Sequence, residues 1–260
     1  QVLQLLYSKS TANSSVSDLV KDYNNRAVNF FRLYISQFLL FEKLFNEFNK
    51  KEKIISKKNY ENDSSGIIKI ILKNEILLFF KDYKKLKKLK LKFEIDIWDK
   101  NIKIIESLFD EIYNSELFEK YESFDNLNFE NRKQIVIDIF KKIIVKNEFL
   151  YQLYEDEELG WVDDFPLVNT LFLNYLKSYN ESKKNNIPLK IFSDKEDKKF
   201  GLKLFKSIIN NDNELDKIIS EFTPEWENER IAVIDLIILK MCLTEFLNFP
   251  SIPVLSLIHI

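Results

Sequence analysis

Trp226–Pro253, WENERIAVIDLIILKMCLTEFLNFPSIP, is the stretch that decides the reading of this chain. Thr223 and Pro224 precede it, and proline is favoured in the first turn of a helix. Glu225, Glu227 and Glu229 would then place negative charge where the helix dipole is positive, so a helix is expected to begin here. Ile231, Ile234, Ile238, Met241, Cys242 and Phe246 recur at steps of three and four, which predicts one broad apolar face. Asp235, Lys240 and Glu245 interrupt the run and are expected on the rest of the cylinder.

Working outward, the whole composition favours helices. Three glycines and five prolines in 260 residues are too few for the turns of a sandwich, a barrel or a doubly wound sheet. The fold class expected is therefore all-α. A net charge of −2 provides no global basic field, so any contact with nucleic acid must come from a local patch. Cys242 is the one cysteine, which excludes an intramolecular disulfide and a cysteine metal cluster; on an apolar face it reads as a small core residue. No run reaches the roughly 18 apolar residues of a membrane span. The nearest, Ile67–Phe80, is broken by Lys69, Lys73, Asn74 and Glu75. A soluble protein of a reducing, cytoplasmic compartment is expected, with no membrane association.

Along the chain, Gln1–Tyr7 reads as an amphipathic helix cut at its front. Ser15-Val16-Ser17-Asp18 fits a capping box, after which Val16, Leu19, Tyr23, Ala27, Phe30, Tyr34, Phe38, Phe41, Phe45 and Phe48 keep one face apolar. At about 1.5 Å per residue this predicts a rod on the order of 45 to 50 Å long. Residues 49–65 are polar and predict a linker before a helix at Ile67 that continues through Leu91. Further helices are expected around Trp98–Ile112, around Ile135–Ile144 after a loop at Phe124–Asn131, at Phe165–Tyr179, and at Gly201–Phe222.

The order Trp226, Glu229-Arg230, Asp235, Thr244-Glu245 and Ile252-Pro253 resembles the first helix of the C-terminal bundle of the transcription antitermination factor NusB family. Gln4, Leu6 and Tyr7 are similar to the family's first helix, without the arginines that usually precede it. Trp98, Asn147-Glu148 and Trp161 with Asp163 and Asp164 resemble its longer, Bacteroidetes-like form. The resemblance implies a NusB-like helical bundle at 1–222 with a helical insertion at about 50–190. It also implies the first helix of an incomplete C-terminal bundle at 223–254, in a chain truncated at both ends. Leu255–Ile260, LSLIHI, departs from the pattern and reads either as a non-native tail or as a genuine apolar one, and it carries the only histidine, His259.

By the same resemblance the chain is a non-catalytic adaptor. It would bind boxA-type single-stranded RNA with ribosomal protein NusE, within the RNA polymerase antitermination complex on ribosomal RNA genes. Gln4, Tyr7 and Lys9 are the implied RNA contacts and Asp235, Lys240 and Glu245 the implied partner contacts, with Lys240 and Thr244 standing where Arg and Tyr are frequent. The ring of Tyr7 suits either stacking on an unpaired base or a place in the core. The alternatives are an accessory domain of a ribosomal RNA cytosine methyltransferase and a purely structural helical scaffold.

The residues themselves argue against catalysis. There is no Ser-His-Asp or Cys-His arrangement and no glycine-rich phosphate loop, so no cofactor is expected. Glu155, Asp156, Glu157, Glu158, Asp163 and Asp164 form one dense carboxylate cluster, but without the spacing or glycine of a calcium loop; it reads as a solvated acidic loop or docking surface, and no metal is expected. Lys84, Lys85, Lys87, Lys88, Lys90 and Lys92 alternate with leucines and suit either a solvated helix face or a phosphate-binding stripe.

Overall fold

A computed structural model describes residues 1–12, 15–57, 65–117, 121, 127–158, 160–181, 186–192, 195–224, 231–250 and 252. The described residues hold thirteen α-helices and no strand, so the protein is all-α. In chain order they are α1 Val2–Thr11, α2 Val16–Lys57, α3 Ser65–Leu72, α4 Glu75–Asp82, α5 Lys84–Lys92, α6 Ile97–Lys100 and α7 Ile102–Tyr113. Then follow α8 Phe129–Lys142, α9 Glu148–Glu157, α10 Gly160–Ser178, α11 Lys195–Asn210, α12 Asp212–Phe222 and α13 Val233–Asn248. None of these helices is long and apolar enough to cross a membrane.

The chain divides into two compact units, Gln1–Val28 with Lys190–Ile260, and Asn29–Leu189. The division falls inside α2. That helix starts as the capping box requires: Asp18 N–H donates to Ser15 Oγ at 3.2 Å, and the Ser15 hydroxyl donates to Asp18 Oδ2 at 2.6 Å. It runs to Lys57, through most of the stretch expected to be a linker, because residues 49–57 are polar but contain no glycine or proline to stop a helix. Asn62, Asp63 and Ser64 lie outside the described residues.

In the unit Asn29–Leu189, the apolar face of α2 is a column of rings. Phe38 is fully buried and has edge-on contacts with Tyr34, Phe80, Phe172 and Tyr175 at centroid distances of 5.1, 5.3, 4.8 and 5.2 Å. Phe41 stacks on Phe172 at 5.4 Å, and Phe48 meets Phe109 at 4.6 Å. The column thereby fixes α4, α7 and α10 on α2, each pair adding about 0.5–1.5 kcal/mol beyond area burial. Two tryptophans pin the backbone as well, for Trp98 Nε1 donates to Ser36 O at 2.8 Å and Trp161 Nε1 to Asn29 O at 2.9 Å.

Asparagines break the long helical patterns. Buried Asn74 caps α4 by accepting from Ile76 N and Leu77 N, and its Nδ2 donates to Arg132 O at 2.8 Å. That divides α3 from α4 within the periodicity from Ile67 to Leu91, and the extended backbone at Tyr83 divides α4 from α5. Asn101 separates α6 from α7, leaving Ile102 exposed and outside the expected apolar face. Asn128 and Asn147 cap α8 and α9.

In the unit Gln1–Val28 with Lys190–Ile260, Leu5, Leu6, Leu19, Tyr23, Leu204, Phe205, Ile208, Leu215 and Ile237 form one core. Gly201 sits against the Tyr23 ring, where a Cβ would collide. The single helix expected at Gly201–Phe222 is two helices, divided at Asn211.

Replacing Phe38 with Ala should destabilise the protein by about 3–5 kcal/mol in urea unfolding, since it removes a fully buried ring in contact with four others. Leu91→Ala, at a side chain that is 79% exposed, should change stability by less than about 0.5 kcal/mol.

Candidate RNA and partner surface

All six candidate site residues lie in the unit Gln1–Val28 with Lys190–Ile260, on α1 and α13, which pack against each other. Tyr7 is on the solvent side of α1, 44% exposed, so its ring is not a core tyrosine. Its carbonyl accepts from Ser10 Oγ at 2.7 Å and Thr11 Oγ1 at 3.0 Å, which closes the last turn of the helix beneath the ring. Gln4 is half-buried and accepts from Arg26 Nη1 at 3.3 Å, while Arg26 Nε donates to Asp22 at 2.8 Å. Arg26 therefore places a guanidinium beside the expected RNA helix, a cation that local sequence did not single out because 22 residues separate it from Gln4.

α13 begins later, and turns differently, than the periodicity predicts. Thr223 belongs to the end of α12, its hydroxyl donating to Ile219 O at 2.7 Å, and Ala232 is the residue before the first turn of α13. Ile231 is outside the helix. Trp226, Glu225, Glu227, Glu229, Arg230, Pro253 and the tail 255–260 lie outside the described residues. The buried line is Ile237, Lys240 and Thr244, with Met241 packed partly against the core. The face expected to be inside is largely outside: Ile234 and Ile238 are exposed, and Phe246 and Leu247 stand out near the end of the helix. The cause is the sequence of α13 itself, which is apolar on nearly every side and so has no period to orient it.

A charge decides the orientation instead. Lys240 was expected at a partner surface but is buried, and its Nζ lies 2.6 Å from Asp212 Oδ1 and 2.9 Å from Asp216 Oδ1. These aspartates are one turn apart on α12 and form a two-pronged acceptor. Burial acts to lower the Lys240 pKa, but the hydrogen bonds and charges of the two aspartates outweigh it and leave it above the ordinary lysine value. Asp212 and Asp216 are the partners of a candidate site residue that sequence reasoning missed. Their spacing was visible; the lysine they meet was not.

The remaining two partner candidates are accessible to different degrees. Asp235 is exposed and Glu245 half-buried, with burial raising the Glu245 pKa. Lys9 and Lys240 line one cleft of about 280 Å³, together with Leu6, Asp212, Val233 and Ile237, so residues assigned to two separate contacts meet at one place. Cys242 is half-buried, and burial followed by the Glu245 charge raises its pKa, which keeps it a thiol. No group of three His, Cys, Asp or Glu side chains among the described residues is placed to hold a metal ion.

Residues 167–259 match the model of the NusB family, a span that takes in α11, α12 and α13. The C-terminal third of the chain is thus similar to the NusB family. A curated relative, the transcription antitermination protein NusB of Desulfatibacillum aliphaticivorans, is 33% identical over 54 residues, 21% of this chain and 38% of that protein. The aligned stretch thus spans well under half of the relative's length. No solved structure matches. The NusB match holds the Lys240 ion pair entire, whereas α1, with Gln4, Tyr7 and Lys9, lies before its first residue.

Lys240 and its acceptors give an asymmetric expectation. Lys240→Met should cost less than about 1 kcal/mol, because the aspartates left behind are half-exposed and can be hydrated. Asp212→Asn with Asp216→Asn should cost about 3–5 kcal/mol, because a buried ammonium is left without a counter-charge. Urea unfolding at neutral pH compares the two. Since the Lys240 pKa is raised on folding, its contribution is present at neutral pH and is lost as pH rises through the raised value. The Lys240→Met protein should therefore lose less stability than the parent in strongly alkaline buffer.

Proposed function

We propose that this chain is a non-catalytic RNA-binding adaptor of transcription antitermination, acting in the cytoplasm. It binds boxA-type single-stranded RNA together with ribosomal protein NusE, within the RNA polymerase complex that transcribes ribosomal RNA. The observation that carries this reading is the exposed Tyr7 ring on a helix packed directly against α13 of the NusB-matching segment. An exposed ring near the end of a helix is a stacking platform for an unpaired base, and Lys9 on the same turn adds positive charge. The similarity to a transcription antitermination protein supports the antitermination role.

In this reading no bond is made or broken. Affinity comes from base stacking and phosphate neutralisation, and NusE docks on the outward side of α13 through Asp235 and Glu245. Lys240 serves that surface indirectly, by holding α13 at the rotation that turns Asp235 outward.

Tyr7→Ala should weaken binding of boxA-type RNA by roughly 1–3 kcal/mol with helix content and melting unchanged, as measured by fluorescence anisotropy beside circular dichroism. Equal affinity of the two proteins would remove Tyr7 from the RNA surface. Reversing Asp235 and Glu245 to Lys should weaken NusE binding, chiefly through a slower association rate at low salt. A NusE affinity indifferent to both reversals would place the partner elsewhere.

A further inference from the structure

The helix α5, Lys84–Lys92, reads KKLKKLKLK: six lysines in nine residues and no acid. Folding accounts for only part of this arrangement. Lys84 and Lys85 occupy the first turn, where the helix dipole is already positive, and no side chain caps it. The inner side of the helix is accounted for by Leu86, which is fully buried, and by Lys90, whose Nζ lies 2.5 Å from Asp99 Oδ2. Lys87 lies near Glu42, and the Lys92 ammonium sits over the Phe93 ring at 5.1 Å. Lys84, Lys85 and Lys88 are exposed and have no carboxylate partner among the described residues. Lys84, Lys88 and Lys92 follow one another at steps of four and Lys85 lies beside them, a row of ammonium groups about 12 Å long on the outer face.

We propose that α5 is a second nucleic-acid contact, in the unit Asn29–Leu189, which takes the phosphate backbone of single-stranded RNA without reading its sequence. The proposal rests on the adaptor reading only for the identity of the polyanion. Lysines are compact point charges that suit a row of phosphates, and neutralising phosphates releases counterions. A lipid surface fits less well, since a helix lying in a membrane interface needs a broad free apolar face. Here that face is occupied by the core at Leu86, and Leu91 alone stands out. An acidic protein partner also fits less well, because the centres of protein interfaces are poor in lysine and rely on aromatic and arginine anchors, which this row lacks.

The test uses the full chain and a fluorescently labelled oligouridine, with binding followed by anisotropy over a series of salt concentrations. The variant Lys84→Gln, Lys85→Gln, Lys88→Gln and Lys92→Gln should bind roughly tenfold more weakly at low salt. The slope of log affinity against log salt should become shallower by roughly two to three, at about 0.7 per lost phosphate contact. Glutamine has nearly the helix propensity of lysine, so circular dichroism should show an unchanged fold. Affinity and slope equal to those of the parent would overturn the proposal. So would capture of the parent by phosphatidylserine vesicles at salt concentrations where oligouridine no longer binds. Tyr7→Ala, measured in parallel on boxA-type RNA, separates the two readings: loss only with Tyr7→Ala overturns the α5 site and leaves the adaptor standing, and loss only with the lysine variant does the reverse.

Discussion

The unit Asn29–Leu189 depends on the contact of Phe38 with the rings around it. A 42-residue helix cannot hold itself in place by hydrogen bonds within its own backbone; it needs apolar surface removed from water along its length. Phe38, Phe41, Phe45 and Phe48 bring helices to one side of α2, and edge-on geometry among Phe38, Phe80, Phe172 and Tyr175 gives each ring a particular position. Trp98 and Trp161 extend the same logic to polar atoms. Each buries an indole whose N–H would be left unpaired, and each resolves that by donating to a main-chain carbonyl of α2. Trp98, Asn147 and Trp161, which mark the resemblance to longer NusB proteins, are thereby explained as packing and capping residues.

The other unit turns on a charge. α13 is so uniformly apolar that several rotations about its axis would bury similar area. Lys240 removes the degeneracy, because a buried ammonium requires acceptors and α12 presents two aspartates within reach. Once Lys240 faces inward, Ile237 and Thr244 follow it, and Asp235, Ile234 and Ile238 are carried outward. Lys240 with its two aspartates thus determines which acids and which apolar groups of α13 face solvent. An exposed apolar strip beside an exposed acid is an arrangement suited to contact, as neither is drawn into the core.

Helix content, the capping box at Ser15 and the aromatic face of α2 were all legible from residue order, because each depends on neighbours within a few positions. The scarcity of glycine and proline excluded other fold classes, and the family resemblance rested on motifs that the NusB match then covered at its C-terminal part. Helix ends were less legible. The breaks at Asn74 and Asn101 go with asparagine side chains that find backbone partners, the end of α2 depends on where a polar helix ceases to be worth forming, and the division at Asn211 has no such cap, so none of these was marked by periodicity.

What the sequence determined by itself was therefore the kind of structure and the residue types on offer: helices, an aromatic candidate at Tyr7 whose exposure it left open, a basic row at Lys84–Lys92. Tertiary structure decided which side of a helix is inside. Lys240 read as a surface cation because lysine is rarely buried, and it became internal because Asp212 and Asp216, 28 and 24 positions earlier, arrive beside it only when α12 folds against α13. Arg26 reached Gln4 in the same way. Periodicity can orient a helix with one apolar face, but α13 has apolar residues all round, and for such a helix only the positions of its long-range partners carry the information.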